Sequence, residues 1–244
     1  MMRLNFTAHS LLLLVTIGLS AQVDADSLPH PRSPDLGPAA RLQALLERTR
    51  LEQEKLVTLV ADFVQHKESA MLIEPETSTG MFSYAAPDRV RWEYASPNPI
   101  SLLIEKGKMT IWLRDLDQVE EVQVGKQSQR ILKYLGASSS LKQLLEYFEV
   151  ALSLPDDASL PYRLDLSPRY ERIAKRLSEM KIWIDPNNFL PTRLRYVEAD
   201  GDVTEYEFSN LQINTDIPPT RFVLDLPADL RVRTVGIEDL SGTR

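Results

Sequence analysis

The sequence predicts a mainly β protein with a minor helical part: about ten to eleven antiparallel strands, one N-terminal helix and a pair of short helices in mid-chain. Three observations carry this. Residues 78–113, STGMFSYAAPDRVRWEYASPNPISLLIEKGKMTIWL, alternate apolar and polar side chains between clusters of turn residues, the period-two signature of half-buried strands. Residues 180–208 repeat that pattern as a meander, and helical spacing is confined to residues before the mid-fifties and between about 128 and 148. A twisted sheet of so many strands curls toward a barrel.

In chain order, Arg3 followed by the apolar run Leu11–Leu19 reads as an export signal. A run of about nine apolar residues is too short to span a hydrocarbon core of ~30 Å. Cleavage is expected after Ala25, which divides the chain into a signal (1–25), a proline-rich lead-in (26–38), one folded domain (39–233) and a short tail (234–244). Four prolines between Leu28 and Pro38 argue for an extended linker. Leu42, Leu45, Leu46 and Thr49 then recur at helical spacing, so an amphipathic helix runs from about residue 38 to the mid-fifties. A strand follows through Phe63-Val64-Gln65-His66.

The central stretch resolves into four strands. Phe82 and Tyr84 lead to a turn at Ala86-Pro87-Asp88; Val90, Trp92 and Tyr94 share one strand face while Arg89, Arg91 and Glu93 take the other. Ser96-Pro97-Asn98-Pro99 breaks the chain again, Ile100–Ile104 is apolar, Lys106-Gly107 turns, and Met109, Ile111 and Leu113 alternate. Asp117–Val124 is a further strand candidate. Ser128 caps a helix carrying Ile131, Leu132 and Leu135, and Ser140 with Gln143 makes a capping box for Leu141, Leu144 and Leu145. Helices this short need an apolar surface to lie on. Strands resume at Phe148–Leu154 and Tyr162–Leu166, then at Met180–Ile184, Leu190–Tyr196 and Thr204–Phe208, joined by Asp185-Pro186-Asn187-Asn188 and by the hairpin signal Asp200-Gly201. A last strand is expected around Phe222, Leu224 and Leu226.

Composition narrows the function classes. The net charge of −7 and the lack of a basic run exclude nucleic acid as a natural partner. The chain has no cysteine, so it neither staples itself nor carries a lipid anchor of its own. Its three histidines fall in the signal (His9), in the linker (His30) and at a strand end (His66), which gives no triad or metal pattern. Ser139-Ser140-Leu141-Lys142 fits an S-x-x-K pattern, but the companion elements of penicillin-binding enzymes are missing and a helix cap explains it better. No phosphate loop is present, and no enzyme activity, cofactor or metal is expected.

The order of export signal, amphipathic helix, Phe63-x-Gln65, Gly80-x-Phe82, Pro87-Asp88-Arg89-Val90-Arg91-Trp92-Glu93-Tyr94, Pro97, Lys106-Gly107-Lys108 and a strand containing Trp112 resembles LolA, the periplasmic outer-membrane lipoprotein carrier family, from about Leu42 to Arg233. The resemblance implies an unclosed antiparallel barrel capped by helices. It also implies a periplasmic, monomeric carrier whose cavity takes acyl chains of lipoproteins or other lipids from an inner-membrane ABC transporter and passes them to an outer-membrane acceptor. A lipid-sensing regulator of the same fold is the alternative, and such sensors usually carry an additional domain for which little chain remains after Leu226. The expected cavity lining is Phe63, Phe82, Tyr84, Val90, Trp92, Tyr94, Leu102, Ile104, Met109, Ile111, Leu113, Ile182, Ile184, Leu194, Tyr196, Tyr206 and Phe208, with the two mid-chain helices as lid. In the best-known members an arginine precedes the proline of the central element and bonds the lid; Ala86 stands there in this chain. That departure points to a divergent carrier with other cargo. Burying an acyl chain is worth ~0.8 kcal/mol per CH₂, so half a chain supplies several kcal/mol, and release then requires a loosely held lid.

Overall fold

The structure, a computed structural model, describes residues 28–123 and 146–235. The signal and the two lid helices, with Ile131, Leu132, Leu135, Leu141, Leu144 and Leu145, lie outside the described residues. Helix α1 (Pro38–Glu54) begins with proline at its first turn, where no N–H is needed, and buries Ala44, Leu45, Thr49 and Gln53 along one stripe. Its opposite side carries Arg50 between Glu47 and Glu54.

Twelve strands follow: β1 (Thr58–Glu68), β2 (Glu76–Ala85), β3 (Arg89–Ser96), β4 (Ile100–Glu105), β5 (Lys108–Leu113), β6 (Gln118–Gln123), β7 (Phe148–Ser153), β8 (Tyr162–Pro168), β9 (Leu177–Ile184), β10 (Pro191–Glu198), β11 (Val203–Ile213) and β12 (Arg231–Val235). They form one sheet in the order β12-β6-β5-β4-β3-β2-β1-β11-β10-β9-β8-β7. Its two edges, β12 and β7, do not pair, so the barrel is open. The order follows from hairpins on either side of a central pairing of β1 with β11, in which Phe63 faces Phe208 and Gln65 faces Tyr206. One residue is extra on β11 there: Asn210, at φ 52°, bulges out and its side-chain amide donates to Asp62 at 2.8 Å. Asn214, also at positive φ, accepts the N–H of Val57 at 2.7 Å and donates to the Lys55 carbonyl at 3.0 Å, which fixes the junction of α1 with β1.

Three expectations are corrected. The strand foreseen at Phe222–Leu226 does not form: Pro218 and Pro219 start a 3-10 turn (Pro219–Phe222), and Arg91 donates to the carbonyls of Arg221 at 2.9 Å and Val223 at 3.1 Å. A segment whose carbonyls are held by a side chain does not join a ladder. The last strand is β12 instead, and it runs parallel to β6, so there are twelve strands and the sheet is not wholly antiparallel. A returning segment reaches the edge by a long connection, which is what parallel pairing requires. The proline-rich lead-in is packed onto the domain over residues 28–37 and not left free. Arg32 donates to the carbonyls of Pro155 at 2.6 Å, Asp157 at 3.2 Å and Leu160 at 3.4 Å, and Arg48 of α1 reaches back to the carbonyls of Leu28 and Pro29.

Candidate functional site

Because strand side chains alternate, register assigns every residue to one of two faces. The outer face is charged. Arg193 pairs with Glu205 at 2.7 Å and Arg195 with Glu179 at 3.0 Å; Arg91 pairs with Glu93 at 2.6 Å, and Lys108 with Glu121 at 2.8 Å. A shallow groove of about 500 Å³ crosses this side beside Trp183, whose ring lies 4.5 Å under the Arg193 guanidinium. The inner face is mainly apolar, although register also puts Glu120 and Gln118 of β6 on it.

Two clusters divide the inner face. In the first, Phe63, Phe82, Tyr84, Val90, Trp92, Ile104 and Met109 are buried, and Tyr94, Leu102, Ile111, Tyr206 and Phe208 are half-buried at its border. The rings pack edge to face: Phe63 meets Trp92 and Tyr94 at 4.9 Å each, and Phe82 meets Trp92 at 4.9 Å. Gly80 makes room for Phe63, since a Cβ there would fall 2.7 Å from the ring and against the Glu93 carbonyl. The second cluster holds Ile182 and Ile184, with Leu194 half-buried beside them, and packs on α1 through Leu45. Leu113 and Tyr196 share the inner face by register but belong to neither cluster.

Sequence reading missed Leu56, Val122 and Leu190 in the first cluster, and Phe148, Tyr162, Leu164, Leu166 and Phe189 in the second. Alternation would have found Leu164 and Leu166. Phe189 had no such signal: it sits at φ 55° in the β9–β10 turn, held by the Asp185 carboxylate accepting from Asn187 and Asn188, and its ring stacks on Tyr162 at 6.1 Å.

Polarity changes along the strands. Call the end with the β1–β2, β3–β4, β5–β6 and β10–β11 turns the upper rim, and the end with the β2–β3, β4–β5 and β9–β10 turns the lower rim. Val90, Ile104, Met109 and Val122 form one inner row near the lower rim and are buried. The next rows upward contain the half-buried Leu102 and Ile111 and then Ile100 and Leu113. On the central strands the upper rows carry Tyr94, Ser78, Gln65, Tyr206, Thr204 and Tyr196. The hydroxyls of Tyr94 and Tyr206 face each other at 3.5 Å. Burial, followed by the neighbouring Tyr94 and Tyr196, holds the Tyr206 phenol well above its ordinary range; burial does the same to Tyr94 and Tyr196. All three remain protonated donors at any physiological pH.

Ala86 lies half-buried against the first cluster. Arg89 and Arg91 both project outward: Arg89 covers the Phe222 ring at 4.9 Å and Arg91 holds Glu93. Neither stands in for an inward arginine. His66, at the upper end of β1, is exposed and lies 3.0 Å from the Thr77 hydroxyl.

Known proteins give the same picture. The family "Outer membrane lipoprotein carrier protein LolA" matches residues 54–225. An outer-membrane lipoprotein carrier protein of Alkalilimnicola ehrlichii is 28% identical over 190 residues, covering 75% of this chain and 80% of that protein. One of Methylibium petroleiphilum is 28% identical over 170 residues, covering 69% and 78%. Among solved structures, MucB superposes with a TM-score of 0.50 at 14% identity over 78% of this chain and 64% of MucB, which is a likeness of fold. With an open twelve-stranded sheet, an apolar inner face and a family match over most of its length, the chain belongs to the LolA family of outer membrane lipoprotein carrier proteins.

Proposed function

We propose that this protein is a periplasmic carrier, exported through its N-terminal signal, that takes acyl chains of lipoproteins or related lipids onto its inner face and moves them from the inner to the outer membrane. The observation that carries the reading is the inner face itself. Two apolar clusters lie along it, one aromatic and one packed on α1, and half-buried Leu102, Ile111, Tyr206 and Phe208 border the first. Membership of a family of outer-membrane lipoprotein carriers supports this direction of transport, with an ABC transporter as the proposed donor and an outer-membrane protein as the proposed acceptor. Ala86, with Arg89 and Arg91 turned outward, favours cargo outside the ordinary lipoprotein pool, because none of these three positions supplies an inward arginine.

Native mass spectrometry of the mature protein, taken gently from its own periplasm and followed by lipid extraction, tests this. An acylated protein or a lipid in the bound fraction is expected. Replacing the half-buried Leu102 by Glu is expected to remove bound lipid while secretion and thermal unfolding stay near wild type. Lipid-free wild-type protein would sink the carrier reading.

A further inference from the structure

On the central strands the upper third of the inner face is polar, and most of its polar groups are hydroxyls. Tyr94, Tyr206 and Tyr196, with Gln65 and Thr204, place hydroxyls and an amide on three adjacent strands, β1, β11 and β10, and on β3 beyond β2. A purely hydrocarbon cargo would gain nothing from them. The Tyr94 and Tyr206 oxygens, 3.5 Å apart, are too distant for a good hydrogen bond to each other, and only one of two facing hydroxyls can donate to the other. At least one O–H therefore has no acceptor among the described residues. Below this band the inner rows are apolar, aromatic on the central strands at Phe63, Phe82, Trp92 and Phe208 and aliphatic toward β4 and β5, and near the lower rim they are buried at Val90, Ile104 and Met109. The lower rim of the second cluster is covered by the lead-in, where His30 packs on Phe189 and Arg32 lies over Tyr162. On β3, β4 and β5, burial and apolar character rise together toward the lower rim.

Building on the carrier reading, we propose that the tyrosine band recognises the ester carbonyls of a glycerol-linked acyl cargo, holding it with its chain ends toward the lower rim and its polar end at the upper rim. Ester carbonyls are acceptors without donors, and they sit where an acyl chain meets its headgroup. Phenol hydroxyls are amphipathic donors suited to that boundary. In a largely apolar site a few placed polar groups set orientation and selectivity, and the Tyr94–Tyr206 pair stands at the boundary.

The test compares two ligands that differ only in those carbonyls: a diester phosphatidylethanolamine and its diether analogue with the same chains. Each displaces an anilinonaphthalene probe from the purified mature protein. Wild-type protein is expected to bind the diester about tenfold more tightly, the combined effect of roughly two neutral hydrogen bonds. In the Tyr94→Phe/Tyr206→Phe double variant, checked for wild-type thermal unfolding, the ratio is expected to fall to about one. Equal affinities in the wild type, or a preference that persists in the double variant, would overturn the inference and leave the carrier reading standing. Failure of both ligands to displace the probe would overturn the lipid-binding reading and this inference with it.

Discussion

Gly80 and Phe63 share one place on the inner face, the ring lying over the position where any other residue would carry a Cβ. Gly80→Ala therefore meets backbone as well as ring. We expect it to lower unfolding free energy by about 1–3 kcal/mol, the ordinary cost of overpacking, measurable by urea denaturation. Trp92 and Phe63 are centres of the aromatic cluster, buried to 6% and 1% exposure. Truncating either to Ala should cost ~3–5 kcal/mol, so these two report on folding, and the half-buried border residues are the better probes of binding. Period-two spacing was enough to identify Val90, Trp92, Tyr94, Ile104, Met109 and Ile111 as sharing a face. It could not separate Trp92, which fills the core, from Tyr206, which borders it, because alternation says which face a residue takes and nothing about what covers that face.

Among the elements, the proline-rich lead-in departs most from its composition. Proline and polar residues normally mark an unfolded linker, yet Arg32 alone bonds three carbonyls around the β7–β8 loop. A single long-range side chain decides the matter, and no local pattern in the sequence announces its partner. Arg32→Ala is expected to cost roughly 1–3 kcal/mol and to raise amide hydrogen exchange in residues 28–37 and in the β7–β8 loop. His30 makes this attachment sensitive to acid. Burial, then Arg48 and Arg32, lowers its pKa below the ordinary histidine value. A lowered histidine means the unfolded state binds protons first, so stability is whole above about pH 6.5 and declines as pH falls through the folded-state value. His30→Gln should flatten thermal stability between pH 7 and 5; the effect is small because the ring is largely solvated. The C-terminal segment shows the same logic. Its apolar residues read as a strand, but Arg91 takes its carbonyls first.

At the scale of the molecule, the sheet was legible wherever a hairpin joined neighbours, because turn chemistry at Asp88, Gly107 and Gly201 sets register locally. The pairing of β1 with β11 and of β6 with β12 was not, since residues more than a hundred positions apart leave no mark of their meeting in either strand. The outer face needed no foresight: alternation placed Arg193 and Arg195 there, and each meets a glutamate. Pairs still open to solvent on one side contribute little singly. Arg195→Ala is expected to change stability by less than about 1 kcal/mol, against several for an inner-face truncation, when both are read by the same denaturant curve.

The parallel strand at the β6 edge bears on the order in which the molecule assembles. All other ladders except β1–β11 join strands that follow one another in the chain, and these can zip soon after they emerge. The β6 edge waits for residues 231–235 to return past more than a hundred intervening positions, and contacts of that span form late. Until then β6 offers an unpaired row of backbone donors and acceptors beside Val119 and Val122, a template for any other extended chain. A newly made chain is thus most exposed to mispairing at its final step, and shielding that edge would raise the yield of folded protein without touching the inner face.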